Sequence, residues 1–187
     1  MTIDIRTTAS RIVYENRWMK VREDSLVRRD GSEGIYGVVE KPDFALIVPI
    51  HRGMIHLVEQ YRYPVKGRFW EFPQGSWEQA PTKDPLDLAR AELREETGLL
   101  AGRMTHVHHL YECYGYSTQG YDIYLAQDLE AGEASREREE QDMICRAFPI
   151  AEVKDMVLNG IIKDAASVAA FGLLSLKGLV QADFKPA

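Results

Sequence analysis

Cysteine is scarce in this chain. Only Cys113 and Cys145 occur, with no CxxC spacing, so neither a disulfide framework nor a thiolate metal site is expected, and two reduced thiols in a cytoplasmic protein is the reading that remains. Positive charge is also short. The formal net charge is −6 and no basic cluster is long enough to track a phosphate backbone, which argues against nucleic-acid binding. Long apolar runs are missing too. The longest, Ala165 to Val180, is broken by Gly172, Ser175, Lys177 and Gly178 and falls short of the ~20 residues that cross a bilayer, so no membrane partner is expected. The opening stretch MTIDIRTTASRIVYE has no apolar segment and no cleavage pattern, which excludes a signal peptide. There is no internal repeat and no linker rich in Gly and Ser. A length of 187 residues suits one domain able to bury a core, with a small N-terminal extension.

What is present is concentrated between Trp70 and Leu100. An extended run ends in a turn at Pro73-Gln74-Gly75, and a polar loop leads to a well-marked helix. Asp84 is the N-cap, Pro85 the first helical residue, and Asp87 falls in the first turn. Gly98 closes the helix. Leu86, Ala89 and Leu93 form one apolar stripe at i, i+3 and i+7.

Glu92, Glu95 and Glu96 lie on the adjoining edge. Residues three and four apart on a helix are neighbours, and like charges there cost a few tenths of a kcal/mol per pair. Two arrangements offset that cost. One is salt bridging to Arg90 and Arg94. The other is a hard divalent cation such as Mg2+, which takes oxygen ligands and usually bridges to a substrate phosphate. An acidic protein that handles phosphates needs such a cation to mediate.

Around this stretch the chain reads as mixed strands with helices at two or three points. RIVYEN, WMKVREDSLVRR and GIYGVVEK form a meander with a turn at Asp30-Gly31. A meander of this kind cannot bury both faces alone, so it must pack on the main body or on a partner subunit. FALIVPI (44–50), apolar on both faces, reads as a central strand and is followed by MIHLVEQYR (54–62). Residues 65–68 read as a loop. HVHHLYECYG and GYDIYLAQDL are two further strands joined through 116–119, and the acidic 130–142 is an exposed loop. MICRAFPI is a strand, a helix runs from Pro149 or Ile150 to Asn159-Gly160, and Asp164 caps a last helix to about Lys177. The pattern argues for an α+β or three-layer α/β/α domain.

Glu92-Leu93-Arg94-Glu95-Glu96-Thr97-Gly98-Leu99 matches the second half of the Nudix box, and the chain resembles the Nudix hydrolase family. The first half departs from the pattern. Ala91 replaces an arginine, Lys83 stands where the first glutamate falls, and Gly75 lies two residues early, as if the loop carried a two-residue insertion. Glu59-Gln60-Tyr61-Arg62-Tyr63-Pro64 and Trp70-Glu71-Phe72-Pro73 resemble the segment before the box in ADP-ribose pyrophosphatases. The resemblance implies a Nudix-type α/β/α sandwich with a mixed sheet over residues 43–187. Residues 1–42 would be an antiparallel β meander for dimerisation and base binding.

It further implies Mg2+-dependent (or Mn2+-dependent) cleavage of the pyrophosphate of ADP-ribose or a related nucleoside diphosphate sugar, giving a nucleoside monophosphate and a sugar phosphate. Glu92 and Glu96 would be the main metal ligands, with Glu95 a further ligand or the holder of a metal-bound water, and Gln74 adding its carbonyl oxygen. Glu139 or Glu140, with Asp142 nearby, would supply the general base, unless that loop is simply a solvated acidic one. Arg62 would clamp phosphate, or else form a surface salt bridge. Glu71 would face the ribose or Arg62. Trp18 and Tyr36 would stack the base or serve a core, Lys41 would add positive charge, and a homodimer is implied. ADP-ribose hydrolases commonly carry a Pro-Gly turn after the box. Here it reads Cys113-Tyr114-Gly115, Gln119 replaces a frequent glutamate, and Trp77 sits in the lengthened loop. GDP-mannose, a dinucleoside polyphosphate, NADH or a flavin dinucleotide therefore stand as alternative substrates, and a non-catalytic nucleotide sensor as an alternative class.

Overall fold

A computed structural model describes residues 4–76, 84–133 and 142–180. Three strands, β1 (Ile5–Glu15), β2 (Lys20–Arg28) and β3 (Glu33–Glu40), form an antiparallel sheet in the order β1-β2-β3. A second sheet holds β4 (Phe44–His51), β5 (Met54–Arg62), β6 (Gly67–Glu71), β7 (Gln74–Gly75), β8 (Leu99–Tyr111), β9 (Gly120–Ala131) and β10 (Ile144–Pro149). Its main order is β10-β5-β4-β9-β8, with β6 on β5 and β7 on β4. β4 and β9 run parallel while the other pairs are antiparallel, so the sheet is mixed, as expected.

β4 explains the layers. Ala45, Leu46, Ile47 and Val48 are all fully buried, and alternate side chains of a strand point to opposite faces. Leu46 and Val48 pack with α2 (Ile150–Leu158) and α3 (Ala165–Leu176), including Val153, Met156, Ala170 and Leu174. Ala45 and Ile47 pack with α1 (Pro85–Thr97) through Leu88, Ala89 and Leu93. Helices therefore cover both faces. Each buried leucine contributes about 2 kcal/mol of burial, so Leu93→Ala is the single change that would most loosen α1. Leu88 completes the buried stripe, whereas Leu86 is half-buried at its margin.

The helix boundaries follow local chemistry. Asp84 accepts the Leu86 N–H at 2.9 Å, Pro85 opens α1, and Gly98 ends it at φ 72° with its N–H on the Arg94 carbonyl at 2.9 Å. Only glycine reaches that φ without cost. Three expectations need correction. The expected loop at 65–68 is a single 3-10 turn, Tyr63–Val65, followed at once by β6, because Gly67 pairs with Arg62 across the hairpin. β8 starts at Leu99, directly after the helix cap, rather than near His106. β1 begins at Ile5 rather than Arg11. Among the described residues no helix is long and apolar enough to cross a membrane.

Candidate active site

β4 and α1 bring the site together. β7 pairs with β4, Gln74 against Leu46 and Gly75 against Ala45, and this lays the turn of the box along the acidic edge of α1. Glu96 is fully buried, Glu92 nearly so, and Glu95 half-buried. The Gln74 backbone N–H donates to Glu96 Oε2 at 3.2 Å. Gly75 faces the Glu92 carboxyl at a distance that leaves no room for a β-carbon. Burying carboxylates is costly unless they are paired or bind a metal.

Beside them, Arg62 grips Glu71 with two parallel donors. Nε reaches Oε2 at 3.0 Å and Nη2 binds Oε1, while Gln60 Nε2 adds a bond to Oε1 at 2.8 Å. Glu71 is almost entirely buried, whereas the Arg62 side chain is 40% exposed. Burial pushes the Glu71 carboxyl above its ordinary value, opposed by Arg62. Burial also pulls on the Arg62 guanidinium, but Glu71, then Asp164 and Glu96, carry it above its ordinary value. The geometry is that of a charged pair, because the oxygens of Glu71 meet donors from Arg62, Gln60 and Gln74. A carboxyl proton there would have no acceptor. Glu71 thus faces Arg62, one of its two expected partners.

Asp164, the N-cap of α3, closes the third side. Its Oδ2 accepts the Ser167 N–H at 2.8 Å, the Ser167 hydroxyl at 2.7 Å and the Gln74 side-chain amide at 3.3 Å. Glu112 lies within reach of the charges of Asp164 and Lys41, and burial pushes its carboxyl up. Burial, then Glu112 and Asp164, push the Tyr121 phenol up to about 12, so it remains protonated at neutral pH.

The structure therefore brings together Arg62, Glu71, Gln74, Glu92 and Glu96, with Glu95 on the same helix edge and Lys41 beside Glu112. Tyr36 on β3 is engaged differently: its hydroxyl donates to the Gly115 carbonyl. This turn is stitched to β3 by Val39 N to Tyr116 O at 2.7 Å and Thr118 N to Val39 O at 3.0 Å. Trp18 is exposed in the β1–β2 turn under the Arg17 guanidinium, 4.0 Å from its ring centroid. The pairing of Lys20 with Glu40 sets this turn at the sheet end that leads to Lys41. Glu139 and Glu140, like Trp77 and Lys83, lie outside the described residues. Sequence reasoning missed Gln60, Glu112 and Ser167 as neighbours of the site, and saw in Asp164 only a cap. The capping pattern at 164–167 was the one available signal.

The donor chemistry suits a hard divalent cation: carboxylate oxygens from Glu92, Glu95 and Glu96, with a backbone carbonyl at Gln74. Gly75, by lacking a β-carbon, leaves the Glu92 carboxyl its place against the turn. Among the described residues no three carboxylate, imidazole or thiol side chains stand at ligating spacing.

The family model described as the NUDIX domain matches residues 41–170. The chain belongs to the Nudix hydrolase family. A second model, the nucleoside diphosphate sugar hydrolase N-terminal domain, matches residues 5–39, the three-stranded sheet. This Nudix chain is 32% identical over 185 residues to an ADP-ribose pyrophosphatase of Mycobacterium tuberculosis, covering 98% of this chain and 88% of that one. It is 24% identical to an ADP-ribose pyrophosphatase of Bacillus subtilis, with 97% and 98% covered. A solved structure titled an ADP compounds hydrolase superposes with a TM-score of 0.83 over 96% of this chain and 97% of that one, at 23% identity. It shares the Nudix fold. Within the family the chain resembles the ADP-ribose pyrophosphatases, and it is a Nudix pyrophosphatase-type enzyme.

Proposed function

We propose that this enzyme hydrolyses the pyrophosphate bond of ADP-ribose or a related nucleoside diphosphate sugar in a Mg2+-dependent reaction, giving a nucleoside monophosphate and a sugar phosphate. The observation that carries the reading is the buried Glu92–Glu96 edge held against the Gln74-Gly75 turn, with the Arg62–Glu71 pair beside it. Glu92, Glu96, Glu95 and the Gln74 carbonyl would hold Mg2+ (or Mn2+), which when bound neutralises pyrophosphate charge and acidifies water. Arg62 spends Nε and Nη2 on Glu71, which orients the guanidinium and leaves the Nη1 donors for a phosphate oxygen. Glu71 is then the support of that clamp. Glu139 or Glu140 takes the proton of the attacking water. Trp18 and Tyr36 give the base a stacking surface, and Lys41 adds a nearby positive charge.

The chain acts as a homodimer in this reading. Ile12, Val13, Tyr14 and Ile35 of the N-terminal sheet are about half exposed or more, an apolar surface suited to a two-fold partner. Light scattering at micromolar concentration should give twice the chain mass; a monomer would remove this part. Tyr114, 84% exposed in the turn where a proline is common in ADP-ribose hydrolases, together with the longer box loop, favours a second reading in which another pyrophosphate, such as GDP-mannose, a dinucleoside polyphosphate, NADH or a flavin dinucleotide, is the better substrate.

A substrate panel with Mg2+, run beside Glu96→Gln and single Glu139 and Glu140 variants, tests the proposal. ADP-ribose should release AMP and a ribose phosphate, and Glu96→Gln should lower turnover by about 100-fold or more. Tight ADP-ribose binding without Mg2+-dependent turnover would select a nucleotide sensor instead.

A further inference from the structure

Two residues of α3 reach across to the box. The Ser167 hydroxyl, fully buried, accepts the Phe72 N–H at 2.9 Å and gives its own proton to Asp164 at 2.7 Å. Asp164 Oδ2 then accepts the Gln74 amide at 3.3 Å, which lies between Asp164 and Glu71. The Gln74 backbone N–H in turn holds Glu96 Oε2. A continuous path therefore runs from the start of α3 through Gln74 to the most buried carboxylate of the site. The pairing of β7 with β4 spans only two residues, with one further bond from Ile47 N–H to the Pro73 carbonyl at 2.9 Å, so the α3 anchors on the Phe72 N–H and the Gln74 amide matter to where this turn sits.

We propose that Asp164 is a positioning residue: through the Gln74 amide it fixes the box turn and thereby the Glu96 carboxylate that receives the divalent cation. The inference rests on the metal-binding part of the proposed function. A plain helix cap would do none of this. Serine also caps helices well, but its hydroxyl on the shorter side chain falls short of Gln74, so Asp164→Ser separates the two roles. Asparagine keeps an acceptor oxygen at the same reach.

The test is Mn2+ binding to the substrate-free protein, read as free ion by electron paramagnetic resonance, with melting temperatures recorded alongside. Asp164→Ser and Gln74→Ala should each weaken Mn2+ binding about 10-fold, at the lower end for partners that orient metal ligands. Their double variant should be no weaker than Gln74→Ala alone, because they act along one path. Asp164→Asn should bind like the wild type, and Asp164→Thr, also a capping residue, replaces the serine variant if that one fails to fold. Wild-type affinity in Asp164→Ser, additive losses in the double variant, or a wild type that binds no Mn2+ would overturn the proposal. A wild type that binds Mn2+ but cleaves no pyrophosphate would defeat the hydrolase reading alone, and the Asp164 data would still decide this one.

Discussion

Gly75 faces Glu92 so closely that a β-carbon on the glycine would collide with the whole carboxyl group. The obstructing atoms are the far end of a flexible side chain, so Gly75→Ala should leave the fold intact and turn Glu92 away from the box turn. The expected result is a near-native melting temperature with Mn2+ affinity and turnover lowered by about 10- to 100-fold. A thermal melt and a metal titration on the same sample check it.

Arg62→Ala would strand the buried Glu71 carboxylate. Breaking a fully buried pair costs ~3–5 kcal/mol. Arg62 is 40% exposed and water partly screens what remains, so a loss of about 2 kcal/mol is expected in urea unfolding. The double variant Arg62→Ala/Glu71→Gln should recover part of that stability, since no unpaired charge is left. It should not recover activity, because the guanidinium is gone.

Glu112 gives a pH signature of defined sign. Burial, then Asp164, raise its carboxyl above the ordinary 4.5, with Lys41 opposing. The folded state therefore holds this proton more tightly than the unfolded chain, and its contribution to stability falls as pH rises from 4.5 through the raised value, then levels off. Glu112→Gln should remove that descending limb. Urea unfolding at a series of pH values, wild type minus variant, checks it; a difference that rises with pH over this window would show the opposite sign.

Ser167→Ala removes the acceptor of the Phe72 N–H inside a buried segment. An unsatisfied buried donor costs about 1–3 kcal/mol, and a loss in that range is expected in chemical denaturation. Ser167→Cys, with a poorer acceptor of similar shape, should fall between alanine and the wild type.

The parts of this molecule that could be read from sequence are those whose cause is local. Asp84-Pro85 and Gly98 mark α1 because capping depends on neighbouring residues, and Glu92, Glu95 and Glu96 share an edge because helical spacing puts them there. β4 and β5 were legible from apolar patterning. The start of β6 was not, since Gly67-Arg68 carries no alternation and becomes a strand by pairing with Arg62 and Tyr61. Nor could sequence show Gln74 meeting Asp164, 90 residues away, or Phe72 meeting Ser167, 95 away. Such contacts arise from packing α3 on the sheet and leave no periodic trace.

The parallel pairing of β4 with β9, Phe44 beside Tyr121 through Pro49 beside Ala126, has a consequence for how the site is spaced. Everything from the box turn through α1 to the Glu112 turn hangs in a single loop closed by that ladder. Parallel strands cannot be joined by a tight turn and need a long crossover, and the ladder holds the two ends of this one side by side. The box turn, paired with β4 at Ala45 and Leu46, and the Glu112 turn, which leads into β9, thus take their spacing from one rail.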